Sequence, residues 1–234
     1  MKKFLKVTGI IIGLGLLLLI LFGWIKSESL PEGSKSQEAD LLANKMLTAL
    51  NIEAYKNTRF LEWTFRNGAN QFVWDKELGI CVVKWDTYEV RLNLNNTSQN
   101  KVIENGVAIN TNDKQKLIKK ALSYFNNDSF WLVAPYKIFD KGTERSIVDL
   151  EDGSKGLLIT YTTGGDTPGD SYLWLLNKNG FPNSYKMWVS VIPIGGLKAS
   201  WDDWIITESG AFLPKTHEFG PLTMDMGSVK GYNE

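Results

Sequence analysis

The 234-residue chain has one cysteine, Cys81, and one histidine, His217. A single cysteine excludes an internal disulfide framework, and neither residue has a companion with which to build a Cys/His zinc cluster. An excess of one charge sign is also missing. Lys and Arg together number 26 and so do Asp and Glu, which leaves no basic footprint for nucleic acid. There is no internal repeat and no low-complexity tract. The apolar share of 43% excludes a disordered chain, and the length allows one or two domains.

A long hydrophobic run stands at the start. Lys2, Lys3 and Lys6 precede 19 residues, 7–25, that carry no charge. As a helix they measure about 28 Å, close to the ~30 Å hydrocarbon thickness of a bilayer. Trp24 stands where an interfacial aromatic belongs. No Ala-x-Ala-like cleavage pattern follows, and no cysteine for lipid attachment lies nearby. Residues 1–26 are therefore expected to be an uncleaved transmembrane anchor, with the lysines on the cytoplasmic side. Residues 27–37 (SESLPEGSKSQ) are polar and predict a short tether. Over residues 26–234, 23 basic residues face 26 acidic ones, so attraction to an anionic membrane surface is weak.

Periodicity organises the rest as one domain, 38–234. Ala39, Leu42, Ala43, Met46, Leu47 and Leu50 recur at helical spacing. After Thr58 the period becomes two, as in Leu61, Trp63, Phe65 and in Tyr88, Val90, Leu92. Asn67-Gly68 predicts a hairpin turn. A second helix is expected over 113–125, with four lysines on its solvated side. Strand-like runs follow at 130–134, 146–150, 157–163, 172–176, 185–192, 204–207 and 212–219, punctuated by Gly, Asn, Asp and Pro. The total of about ten to twelve strands fits an α+β fold: a strongly curved, mostly antiparallel, half-open barrel with covering helices. Strand 172–176 is apolar on both faces. That suits plain core packing, a sheet plugged by helices or loops, or a barrel that holds an apolar ligand.

With this element order, the phrase 127–137 (NDSFWLVAPYK) makes the chain resemble the periplasmic lipoprotein-sorting carriers, the LolA-like family. The resemblance implies a half-open antiparallel barrel with an apolar cavity for acyl chains, and so a role in lipoprotein or lipid handling at the bacterial envelope. The phrase 163–174 (TGGDTPGDSYLW) is similar to an element of a narrower group from Bacteroidetes-type bacteria. The carriers are soluble after signal cleavage, whereas this chain is expected to keep its anchor. It would then be a single-pass inner-membrane protein with residues 38–234 in the periplasm.

Candidate chemistry is sparse. Asp166 and Asp170 flank a Gly- and Pro-rich turn and suit a turn, a binding-site rim, a cation site or an acid/base pair. His217 lacks a nucleophile motif around it, and Cys81 sits among apolar residues as a buried thiol. Trp201-Asp202-Asp203-Trp204 has the composition of a sugar-stacking surface, and alternation would put the two Trp on opposite faces. The expectation is a non-enzymatic binding module for an apolar or lipidic ligand or a lipoprotein partner, with no cofactor and no metal. Trp131, Trp174, Trp188, Asp166 and Asp170 are its candidate cavity or rim residues, Trp131 and Trp174 being core. A hydrolase or sugar-active enzyme using Asp166, Asp170, Asp202 or Asp203 is the first alternative, and an envelope scaffold the second.

Overall fold

The computed structural model describes residues 27–110, 113–164 and 166–234. The apolar run 7–25 lies outside them. Among the described residues no helix is long and apolar enough to cross a membrane.

The architecture is α+β, with two mostly antiparallel sheets, neither closed into a barrel. Helix α1 (Gln37–Ala49) buries Ala39, Ala43, Met46 and Leu47 at helical spacing, and the short α2 (Ile52–Asn57) follows it. The first sheet begins as a meander: β1 (Phe60–Phe65), β2 (Asn70–Asp75), β3 (Ile80–Trp85), β4 (Tyr88–Asn93), β5 (Lys101–Glu104) and β6 (Val107–Ala108). The β1–β2 turn uses Arg66, Asn67 and Gly68, all at positive φ, as the Asn-Gly pair predicts. Helix α3 (Lys114–Val133) then leads into the second sheet: β7 (Thr143–Asp149), β8 (Lys155–Tyr161), β9 (Ser171–Leu176), β10 (Pro182–Trp188), β11 (Leu197–Ser200), β12 (Asp203–Ile206), β13 (Phe212–Phe219) and β14 (Leu222–Asp225). Finally β15 (Lys230–Tyr232) returns to pair with β1. The fifteen strands among the described residues exceed the expected ten to twelve because several are only two to four residues long.

One expected strand is helix. Residues 130–133 belong to α3, and Ala134–Lys137 forms a 3-10 turn after it. The buried positions Ile118, Ala121, Phe125, Asp128 and Leu132 keep a spacing of three and four through the whole element. Asn126, Asn127 and Asp128 look like a loop, but Asp128 is buried on the helix and accepts a hydrogen bond from Asn70 on β2 at 2.9 Å. Satisfying that carboxylate lets the helix continue.

Helix α3 spans both sheets on one side. Its middle packs Phe125 against Trp63 and Trp74, and Tyr124 against Trp85. Its end packs Phe130 against Tyr161 and Tyr172, and Trp131 against Tyr185. The sheets meet along residues 222–232. There Thr64 N donates to Met226 O and Ser209 N to Gly231 O, at 2.9 and 3.0 Å.

Residues 27–34 are not a free tether. They form a strap across the face of the second sheet that points away from α3. Glu28 N donates to Gly195 O at 2.9 Å, and Lys186 forms an ion pair with the Glu28 carboxylate. Ser34 and Ile147 exchange two backbone hydrogen bonds at the β7 edge, which caps an otherwise open strand. Gly33 lies so close to Ser146 that an added Cβ would stand 2.5 Å from Ser146 Cβ. Beneath the strap Val148, Leu158 and Leu173 form a second buried apolar cluster. That cluster explains the strands that are apolar on both faces. One face meets α1 and α3, and the other meets the strap.

Candidate functional site

The face of the sheets under α3 is lined with aromatic rings. On the second sheet Ile147, Leu157, Trp174, Tyr185 and Ala199 lie in register across five strands and point to the same side. Trp174 is fully buried and meets Tyr185 and Trp201 edge-on, with ring centroids 5.1 and 5.0 Å away. Trp131 reaches the same layer from α3 and is half-buried. The first sheet contributes Trp63, Trp74 and Trp85.

This layer holds polar atoms without partners. The indole nitrogens of Trp63, Trp74, Trp85, Trp174 and Trp201, and the hydroxyls of Tyr161 and Tyr185, are buried and make no hydrogen bond within the protein. A buried donor left unpaired costs about 1–3 kcal/mol. Burial also pushes the Tyr161 and Tyr185 phenols far above the ordinary tyrosine range, so both stay protonated donors.

His217, on β13, anchors the end of α3. Nδ1 contacts Ser200 O at 2.7 Å and Nε2 contacts Trp131 O at 2.8 Å. Burial pushes the ring below the usual histidine range, while the two carbonyls and the Asp202 and Asp203 carboxylates pull the other way. Asp128 anchors the middle of α3 through Asn70, and burial raises its carboxyl above the usual range. Tyr136, after α3, donates to Phe212 O at 2.6 Å.

The remaining candidates do not gather in this layer. Trp188 faces the opposite side of the sheet, where its Nε1 donates to Glu28 O at 2.8 Å. Asp166 is exposed and accepts from Asn126 Nδ2 at 2.8 Å. Asp170 is only 5% exposed. It accepts from Ser190 N at 2.8 Å and from Thr167 Oγ1 at 2.5 Å, and so latches the 163–170 loop to the loop after β10. Asp166 therefore turns towards α3, and Asp170 is committed to its own loops. Trp201 and Trp204 share one side, because the chain leaves the strand between β11 and β12 and breaks the alternation. Asp202 and Asp203 are exposed, and Asp203 accepts from Thr216 Oγ1 at 2.6 Å. Cys81 is fully buried, and burial pushes its thiol far up. Among the described residues, no three His, Cys, Asp or Glu side chains are grouped to hold a metal ion.

Sequence reasoning missed the buried roles of His217 and Asp128. For Asp128 the signal was present, since it falls in the helical spacing of apolar residues. For His217 no local signal exists, because its partners lie 17 and 86 residues away. No family model matches the chain, and the curated proteins contain no match to it.

Proposed function

We propose that this protein is a membrane-anchored binding module of the bacterial periplasm. It takes an apolar, lipidic ligand, or the acyl part of a lipoprotein, on the aromatic face beneath α3. The observation that carries this reading is the layer of seven buried, unpartnered indole and phenol donors within an apolar lining. A molecule with long hydrocarbon chains and ester or amide carbonyls matches both properties, because the chains replace apolar packing and the carbonyls accept from the orphaned donors.

In this reading the two sheets act as one half-open barrel, joined along 222–232, and α3 is its movable cover. Three polar attachments hold the cover: Asp128 to Asn70, His217 to Trp131 O, and Tyr136 to Phe212 O. The 7–25 run is the anchor and the lysines before it are cytoplasmic. The LolA-like resemblance supports the same assignment through element order. An acid/base pair is disfavoured by the separate commitments of Asp166 and Asp170.

The test uses the full-length chain in vesicles that contain a photoactivatable fatty acid. After illumination, cross-links are mapped by mass spectrometry. Adducts on β8, β9, β10 or the end of α3, displaced by excess palmitate, are the expected result. Adducts confined to residues 7–25 would defeat the reading.

A further inference from the structure

The strap that follows the apolar run fixes which end of the domain lies nearest to that run. Ser27 Oγ accepts from Gly195 N at 3.0 Å, and Glu28 N donates to Gly195 O at 2.9 Å. Gly195 belongs to the β10–β11 loop, 189–196, whose sequence is Val-Ser-Val-Ile-Pro-Ile-Gly-Gly. This loop carries no charge, and Val191 at its tip is 73% exposed. It is also held rigidly. Asp170 Oδ1 accepts from Ser190 N at 2.8 Å, Ile192 N donates to Val189 O at 3.1 Å, and Gly196 N donates to Met187 O at 2.9 Å. Of the charges around it, Asp170 is buried and bonded to the loop itself, Glu28 and Lys186 are paired with each other, and Lys198 is exposed at the start of β11. Strand register puts the Phe219–Leu222 turn at the same end, with Leu222 61% exposed.

Only Lys26 separates Ile25, the last residue of the run, from Ser27. Two residues of extended chain reach about 7 Å. A bilayer's polar region is about 5–7 Å deep on each side, from the difference between the whole thickness and the hydrocarbon core. If the run spans a bilayer, the loop bonded to Ser27 therefore stands at headgroup depth. An exposed, uncharged, branched-chain tip with a tryptophan at its base is suited to that depth. From this geometry we infer that the 189–194 loop is a second membrane contact, a fixed wedge seated in the outer surface of the same bilayer. The inference rests on the anchor reading above. It adds that the end of the second sheet carrying the 163–170 and 189–196 loops faces the lipid, with the groove between Pro168, Asp170, Trp188 and Ile192 opening at the membrane surface.

The test uses the full-length protein in phosphatidylethanolamine–phosphatidylglycerol vesicles. Val191→Cys carries an environment-sensitive fluorophore. Glu151→Cys, exposed in the β7–β8 turn at the opposite end of the sheet, is the control. The native Cys81 is buried and does not compete. The expected result is blue-shifted emission at position 191 and several-fold stronger quenching by lipid-borne nitroxide there than at 151. Carbonate extraction on the same vesicles reports the anchor. If the protein resists extraction but position 191 is as wet as 151, the wedge is overturned and the anchor stands. If carbonate releases the protein, the anchor reading fails and the wedge fails with it. If the label is shielded from aqueous iodide yet untouched by lipid quencher, a second copy covers the loop and the membrane contact is refuted.

Discussion

Replacing Gly33 with alanine asks whether the strap is part of the folded domain. The added Cβ would stand 2.5 Å from Ser146 Cβ and 3.3 Å from Leu158 Cδ2. Two responses are open. The strap can lift, losing the two backbone hydrogen bonds between Ser34 and Ile147, at about 0.5–1.5 kcal/mol each. Alternatively the sheet can yield, and overpacking of that kind costs about 1–3 kcal/mol. Both routes converge on a loss of roughly 1–3 kcal/mol. For a domain of this size each kcal/mol lowers Tm by about 2–4 °C, so a fall of roughly 2–12 °C is expected in a thermal melt. Hydrogen exchange separates the two responses. A lifted strap exposes the Ile147 amide, which donates to Ser34 O at 2.9 Å, while a yielding sheet keeps it slow. An unchanged Tm together with a slowly exchanging Ile147 would refute the close packing of the strap.

Three further outcomes can be checked by ordinary stability measurements. Trp174→Ala removes a fully buried indole and is expected to cost about 3–5 kcal/mol in denaturant unfolding; a loss under 1 kcal/mol would contradict its place in the core. Asp170→Ala strands the Ser190 amide and should cost about 1–3 kcal/mol, whereas Asp166→Asn at an exposed position should stay within about 0.5 kcal/mol; equal effects would show that the latch is misassigned. His217 has its folded pKa below the ordinary value of 6.5. As pH falls through 6.5 the unfolded chain takes up the proton first, so the stability that the neutral ring provides is present above that pH and drains away below it. Melts from pH 7.5 to 5 should show a steeper decline for the native chain than for His217→Gln, and parallel curves would exclude the coupling.

Much of the sheet was legible because an alternating sequence has few other ways to bury one face. Leu61, Trp63 and Phe65 all point inward, as their spacing requires. The Asn67-Gly68 turn was equally plain. What escaped was decided at a distance. The last turns of α3 contain Asn126, Asn127 and Asp128, which favour loops in isolation, and hydrogen bonds from Asn70 on β2 and from Asn127 make Asp128 acceptable inside a helix. The strap escaped because its polar composition matches a linker, while its docking depends on a missing side chain at residue 33 and on backbone hydrogen bonds. Trp174 lies in the core as expected, whereas Trp131, also expected there, is only half-buried, and so is the rim candidate Trp188. Which side of the sheet each one occupies depends on register, and that is why Trp188 stands apart from the other two.

The strap and β15 also set an order of events during synthesis. Residues 27–34 are made before both sheets, yet their docking partners are Ile147, Lys186 and Gly195. Strand β1 likewise finds one of its neighbours only when residues 230–232 have emerged. Both early segments must wait for chain made more than a hundred residues later. Such long-range closure slows folding and leaves unpaired edges exposed in the meantime. Until those partners emerge, β1 has one open edge and the strap has no sheet to cover. The nascent chain therefore depends on its surroundings to keep that edge from other pairings until residues 230–232 arrive.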